Sequence, residues 1–344
     1  MKAMALTGIR RLEPLEVPDP RITRDTDVLV RIRAVGICGS DLHYFKEGRI
    51  GDQVIEFPYT VGHECAGVVE EVGRGVTALE RGDRVAIDPA MPCWHCDQCR
   101  DGRHHTCRAL RFLGCPGQAA GCLSERLILP ETSCFPIPES TTFERAVISE
   151  PLAIGIYGAR KSIPIEGKRI GILGAGPIGL SVLLPARFQG AEKVYVTDRI
   201  AERLALARKA GAAWTGNPEE EDVVQAVRAR EPLLLDAVFE CCGRQEAIDQ
   251  AIEMLKPGGK LMIIGIPEVS RLSFAVDTMR HKEICIYNVR RQAHCVQPTL
   301  DMVDRGEMNV DIMITHHFPF EKTREAFDLV DGYRDGVVKA MIEF

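Results

Sequence analysis

The stretch Lys168-Arg-Ile-Gly-Ile-Leu-Gly174-Ala-Gly176-Pro-Ile178-Gly179 decides the fold. The apolar run ending at Leu173 reads as a short buried strand, and Pro177 suits the first turn of a helix, where no intrahelical N–H bond is lost. Between them, glycines spaced G-x-G-x-x-G let the chain turn tightly, approach a pyrophosphate and pack helix on strand. Gly174, Gly176, Pro177, Ile178 and Gly179 are therefore the candidate dinucleotide loop, with the helix N-terminus facing the anion. Asp198 closes the next expected strand, Lys193 to Thr197, 24 residues after Gly174. A carboxylate there accepts hydrogen bonds from the adenosine ribose diol and repels a 2′-phosphate, so NAD is favoured over NADP. Arg199 beside it weakens that preference.

Working outward, strands and helices alternate. Ala201 to Ala210, Glu219 to Arg230 and Gln245 to Leu255 read as helices; Leu233 to Glu240 and Lys260 to Ile266 read as strands. This alternation predicts a doubly wound parallel sheet of the Rossmann type over residues 151–285. Pro185 falls inside the helix after the glycine loop and predicts a kink. Residues 1–150 read as β-rich and glycine-punctuated, with strands near Val28–Val35, Ala66–Val72, Arg84–Ile87 and Leu123–Leu129. A helix is expected from about Thr141 toward Lys161. The tail, 286–344, carries two helices and a closing strand, Val337 to Ile342. It is too short for a core of its own and is expected to complete the first domain, making the nucleotide domain an insertion.

The chain has 344 residues, 45% hydrophobic and 27% charged, the balance of an ordinary globular protein of about two domains. Lys plus Arg number 43 against 49 Asp plus Glu, a net charge of −6 that offers no basic field for nucleic acid. The sequence holds no apolar run of about 18 residues to span a bilayer. Met1 to Pro14 lacks the apolar core of a secretory signal, so a cytoplasmic protein is expected. Thirteen cysteines without an export signal argue for metal sites and buried thiols rather than disulfides.

Cys93, Cys96, Cys99 and Cys107 follow C-x2-C-x2-C-x7-C, four thiolates able to enclose one zinc tetrahedrally in a closed structural site. A second set lies in two glycine-bounded loops: Gly36-Ile-Cys38-Gly-Ser40-Asp-Leu-His43 and Gly62-His63-Glu64-Cys65. A catalytic zinc needs about three protein ligands and an open position. Cys38 and His63 are natural ligands, while Glu64 and Glu150 compete to supply the carboxylate. In a regular strand His63 and Glu64 would face opposite ways, so both serve one ion only if the backbone is irregular there, which Gly62 permits. Such a zinc acidifies a bound alcohol, whose carbon then releases hydride to a nicotinamide. Ser40 is placed to accept the alcohol proton and His43 to relay it to solvent.

Together these segments, with Glu150-Pro-Leu152 and Thr315-His-His-Phe-Pro319, resemble the zinc-containing medium-chain dehydrogenases, polyol (sorbitol, L-iditol) branch. The resemblance covers nearly the whole chain. It implies a GroES-like distorted β-barrel for the first domain. It also implies zinc on Cys38, His63 and Glu64, with Glu150 touching metal-bound water or substrate. Arg291 is expected at the cofactor or substrate, and Tyr44, Phe45 and Phe112 along the substrate cleft. The activity implied is NAD-dependent oxidation of a small secondary alcohol or polyol to a ketose or ketone. L-Threonine 3-dehydrogenase and simple alcohol dehydrogenase are the alternatives. A non-catalytic nucleotide-binding protein would lack the reactive residues that stand here. The family's dimers and tetramers often join nucleotide-domain sheets edge to edge, for which Leu261 to Pro267 and its neighbours are the expected stretch.

Overall fold

The computed structural model describes residues 1–267 and 269–344. The chain forms two compact units. One comprises Met1–Glu150, Val296–Arg305 and Ile314–Phe344; the other comprises Pro151–Cys295 and Gly306–Met313.

The second unit is a six-stranded parallel sheet. Its strand order is Trp214–Gly216, Lys193–Thr197, Arg169–Leu173, Leu235–Glu240, Leu255–Ile263, Cys285–Asn288. In chain order this is 3-2-1-4-5-6, with the reversal falling between Arg169–Leu173 and Leu235–Glu240. Ligands of such sheets lie beyond the strand C-termini at that reversal. Leu173, Val238, Ile248 and Leu261 are among the residues that fill its core. The tail from 286 is shared between the units. Cys285–Asn288 pairs parallel to Leu255–Ile263 and so remains in this sheet. Leu255–Ile263 is thereby an interior strand, so Leu261 to Pro267 is not the sheet edge; Cys285–Asn288 is.

The helix Pro177–Phe188 continues through Pro185, and the Gln189 N–H bonds the Pro185 carbonyl at 2.8 Å. Glu219 to Glu221 do not join the following helix, which spans Val223–Arg230. Asp222 caps it, accepting from the Val224 and Gln225 N–H groups, and this fixes the start at Val223, four residues later than the expected Glu219.

The first unit is built on a seven-stranded sheet. Its path runs Cys134–Pro136, Arg84–Ile87, Glu64–Val72, Asp27–Gly36, Lys339–Glu343, Ile314–Pro319, and Arg126–Pro130 also pairs with Asp27–Gly36. In Asp27–Gly36 the apolar residues are buried and Arg31 and Arg33 exposed, as the alternation predicts. Two of the register pairs position the site. Gly36 stands opposite Glu64 on one side and opposite Met341 on the other. Three segments remote in sequence therefore meet at one end of the central strand: Ile37-Cys38 leaving it, His63 entering its neighbour, and Lys339 beginning the third.

Candidate active site and zinc centres

Cys38 precedes the helix Gly39–Glu47, and its N–H is held by the Asp41 carboxylate at 3.1 Å. Asp41 is 1% exposed. Its other oxygen accepts the Gly62 N–H at 3.0 Å and lies 3.5 Å from His63 Nδ1. One carboxylate thus ties both loops together and orients the imidazole, as outer carboxylates do for metal-binding histidines. Gly62 has φ 98°, a left-handed conformation that frees His63 from strand geometry, and the regular strand starts only at Glu64. The irregularity required for His63 and Glu64 to converge is present. Ligand atoms of Cys38, His63 and Glu64 all lie within 4.8 Å of one another. Glu150 does not belong to that group.

Glu64 is 0% exposed and both of its oxygens accept from Lys339 Nζ, at 2.7 and 2.6 Å. Lys339, itself 1% exposed, also donates to the Ile37 carbonyl at 3.1 Å. The pair passes over Gly36, where an added Cβ would collide with the Glu64 carboxylate and sit 3.3 Å from Lys339 Cδ. Burial works against the charge on Lys339, yet Glu64 and Cys38 hold its pKa above the ordinary lysine value. The sequence reading missed Lys339. Its signal was a lone cation inside the apolar run Val337-Val-Lys-Ala-Met-Ile342, a position that demands a buried partner.

Glu150 is buried, and burial pushes its carboxyl up to about 7, with Glu64 and Asp88 adding and His63 and Lys339 opposing. Burial likewise disfavours a charged His63, but Cys38 and Asp41 outweigh it and raise the imidazole above its usual value. Thiol, imidazole and carboxylates concentrated in a buried space make a donor set that a divalent cation suits. Ser40 and His43 stand three residues apart on the helix Gly39–Glu47, one turn from each other, and both are half-buried.

The three aromatic residues expected along the cleft divide. Phe112 is buried with its ring 5.6 Å from that of His63. Tyr44 is buried and donates its hydroxyl to Gln53 Oε1 at 3.2 Å. Phe45 is 0% exposed and meets Phe327 edge-on at 5.4 Å, with Arg10 and Arg324 over its ring. It is a core residue, because neighbouring helix positions point in different directions.

Four sulfurs, of Cys93, Cys96, Cys99 and Cys107, lie within 4.8 Å of one another. The Cys93 N–H donates to Cys107 Sγ at 3.2 Å. Backbone N–H groups of Arg108 and Cys99 pull the Cys96 thiol down to about 6, whereas burial pushes Cys99 up to about 12. Four crowded thiols with N–H groups aimed at them fit a tetrahedral zinc, which stabilises the thiolates that mutual repulsion opposes. His95, His104 and His105 stand outside the set. Replacing Cys107 by serine is expected to remove one zinc per chain and lower Tm by about 5 °C. Metal analysis and a melting curve on the same sample check this; unchanged zinc content rejects the assignment.

In the parallel-sheet unit, Gly174 has φ 101° and its N–H bonds the Thr197 carbonyl at 2.8 Å. Asp198 accepts the Ala175 N–H at 2.6 Å and the Ile200 N–H at 2.9 Å, so its carboxylate lies on the glycine loop. Pro177 is the first helical residue, with Gly176 capping and Ile178 and Gly179 in the first turn. Arg203, buried, was missed; its guanidinium comes 3.2 Å from where a Cβ on Gly176 would sit. Arg199 Nε pairs with Glu219 Oε1 at 2.7 Å. Arg291 lies three residues past Cys285–Asn288, in left-handed conformation at φ 56°.

Two family models match the chain. An alcohol dehydrogenase GroES-like domain covers residues 24–139, and a zinc-binding dehydrogenase domain covers 177–305. The sorbitol dehydrogenase of Bacillus subtilis (strain 168) is 33% identical over 99% of this chain and 97% of its own. The L-idonate 5-dehydrogenase of Vitis vinifera is 34% identical over 88% of this chain and 84% of its own. Among solved structures, an Escherichia coli oxidoreductase of unknown specificity involved in membrane biogenesis superposes with a TM-score of 0.93. It is 30% identical and covers 99% of this chain and 98% of its own.

Proposed function

The chain belongs to the zinc-binding, GroES-like alcohol dehydrogenase family, and from that premise we propose NAD-dependent oxidation of a secondary hydroxyl on a polyol or related sugar acid. It is an oxidoreductase acting on CH–OH groups. The observation that carries the reading is the convergence of Cys38, His63 and Glu64 in a chain whose other unit holds the glycine loop. Its named relatives act on polyhydroxylated chains, sorbitol and L-idonate, which favours such substrates over ethanol.

In this reading Cys38, His63 and Glu64 would hold the catalytic zinc, and the four cysteines would hold a structural one. Bound zinc supplies a Lewis acid that polarises the substrate hydroxyl. NAD held at the glycine loop would supply the hydride acceptor. Asp41 fixes the His63 ring, and Lys339 fixes Glu64. Ser40 takes up the hydroxyl proton, and His43, one turn along the helix, passes it toward solvent. Glu150 receives a hydrogen bond from substrate or water, and Phe112 and Tyr44 wall the substrate. Gly174, Gly176, Pro177, Ile178 and Gly179 bind the pyrophosphate, and Asp198 binds the ribose. Arg291 is assigned to the cofactor by family resemblance.

The subunits associate through the sheet edge. Among the described residues Cys285–Asn288 has no strand on one side, and it lies beside a groove of about 550 Å³ lined by apolar residues such as Ile263, Leu272 and Ile286 and by the polar Ser270, Arg271 and Asn288. A second copy pairing there makes a homodimer, from which a tetramer is built. Among the described residues no helix is long and apolar enough to cross a membrane, and a cytoplasmic location is the proposed one. The test is an NAD reduction screen over sugar alcohols, sugar acids, 2-amino-3-hydroxy acids and simple alcohols, with zinc measured on the same sample. Turnover of polyols or sugar acids is expected. Activity confined to amino-hydroxy acids or ethanol replaces the substrate class.

A further inference from the structure

We propose that Glu219 is a specificity residue for the cofactor, which withdraws the Arg199 guanidinium from a 2′-phosphate and so favours NAD over NADP. The proposal rests on the dinucleotide reading of the glycine loop given above.

The sequence places two opposed groups side by side. Asp198 repels a 2′-phosphate, while an arginine beside it is the kind of residue that accommodates one. Each Asp198 oxygen already accepts one N–H, from Ala175 and from Ile200, and retains a lone pair for a ribose hydroxyl. Arg199, left free, would offer a charge-assisted partner to phosphate at the same edge. Instead its Nε lies 2.7 Å from Glu219 Oε1.

The backbone is built to hold this pair. Asn217, 9% exposed, donates from Nδ2 to the Arg199 carbonyl at 3.4 Å and to Glu220 Oε1 at 2.9 Å. Its Oδ1 accepts the Glu219 N–H at 3.0 Å. The Asp198 N–H bonds the Gly216 carbonyl at 3.2 Å. One buried amide therefore sets the chain carrying Arg199 and the chain carrying Glu219 in register. Glu220 and Glu221 follow in the same turn and add negative charge. The two partners' side chains are 54% and 59% exposed, so the ion pair is individually weak and salt-sensitive. Removing Glu219 nevertheless does two things at once. It releases a guanidinium toward the phosphate and deletes a charge that repels it.

The test uses 2′,5′-ADP and 5′-AMP as probes, with Kd measured by calorimetry on the full chain, so that no turnover is required. E219Q is expected to leave 5′-AMP binding within about twofold and to tighten 2′,5′-ADP by about three- to fivefold, the size of an exposed charge interaction. D198A/E219Q is expected to gain more than the product of the single variants, because both act on one phosphate. R199Q/E219Q is expected to lose the gain of E219Q. Normal 5′-AMP binding with 2′,5′-ADP affinity unmoved by E219Q, with and without D198A, overturns the proposal alone. A gain that survives R199Q/E219Q overturns the role of Arg199. Failure of the wild-type protein to bind either probe removes the dinucleotide reading and the proposal together.

Discussion

Lys339→Met is expected to destabilise the protein by about 3–5 kcal/mol, the cost of leaving a buried charge without its partner. Glu64 is 0% exposed, and Lys339 Nζ bonds both of its oxygens. Without the ammonium, the carboxylate must take up a proton or draw in water, and neither is cheap in a closed site. Coupling distinguishes this from a simple packing defect. Glu64→Gln combined with Lys339→Met is expected to recover most of the loss, because the double variant leaves no unpaired charge. Zinc should also reduce the cost, since a divalent cation next to Glu64 offsets the same negative charge. Denaturant unfolding of the single and double variants, each stripped of metal and loaded, checks all three statements. A Lys339→Met protein as stable as wild type in the stripped form would refute the pairing as a source of stability.

Cys38→Ala is expected to reduce turnover by about a thousandfold or more, the rate equivalent of losing several kcal/mol of Lewis-acid stabilisation. It should lower zinc from about two to one per chain, since three protein ligands and an open position define a catalytic site. Its thermal stability should fall less than that of Cys107→Ser. The two cysteine variants thus separate the sites by different losses: structural metal and thermal stability in one, catalytic metal and activity in the other. Retention of full turnover by Cys38→Ala, or by a folded protein after chelation, would end the zinc-catalysis reading.

Legibility from sequence followed the range of the interactions. The glycine loop, the strand before it and Asp198 form a local unit of about 30 residues. Such a unit is readable because each residue type answers a backbone requirement nearby. The four-cysteine lobe was readable for the same reason: its thiols fall within one short loop. The start of the helix Val223–Arg230 was misplaced because Asp222 caps it and Asn217 organises the preceding turn, and side-chain hydrogen bonds of that kind leave no periodic trace. Phe45 was misassigned to the substrate cleft because adjacency to Tyr44 in sequence says nothing about which face of the helix it occupies. Lys339 was missed because its partner lies 275 residues away.

Local chemistry in the chain was enough to determine the doubly wound parallel-sheet unit, the four-thiol lobe and the residue types of the candidate metal sites. Tertiary structure decided which carboxylate joins Cys38 and His63, that a buried lysine holds it, and that Arg199 is paired with an acidic neighbour. The physical reason is strand register. An antiparallel pairing of Gly36 with Glu64, and of Gly36 with Met341 across the other edge, sets distant side chains within hydrogen-bond reach, and pairing partners across a sheet are chosen by the whole fold.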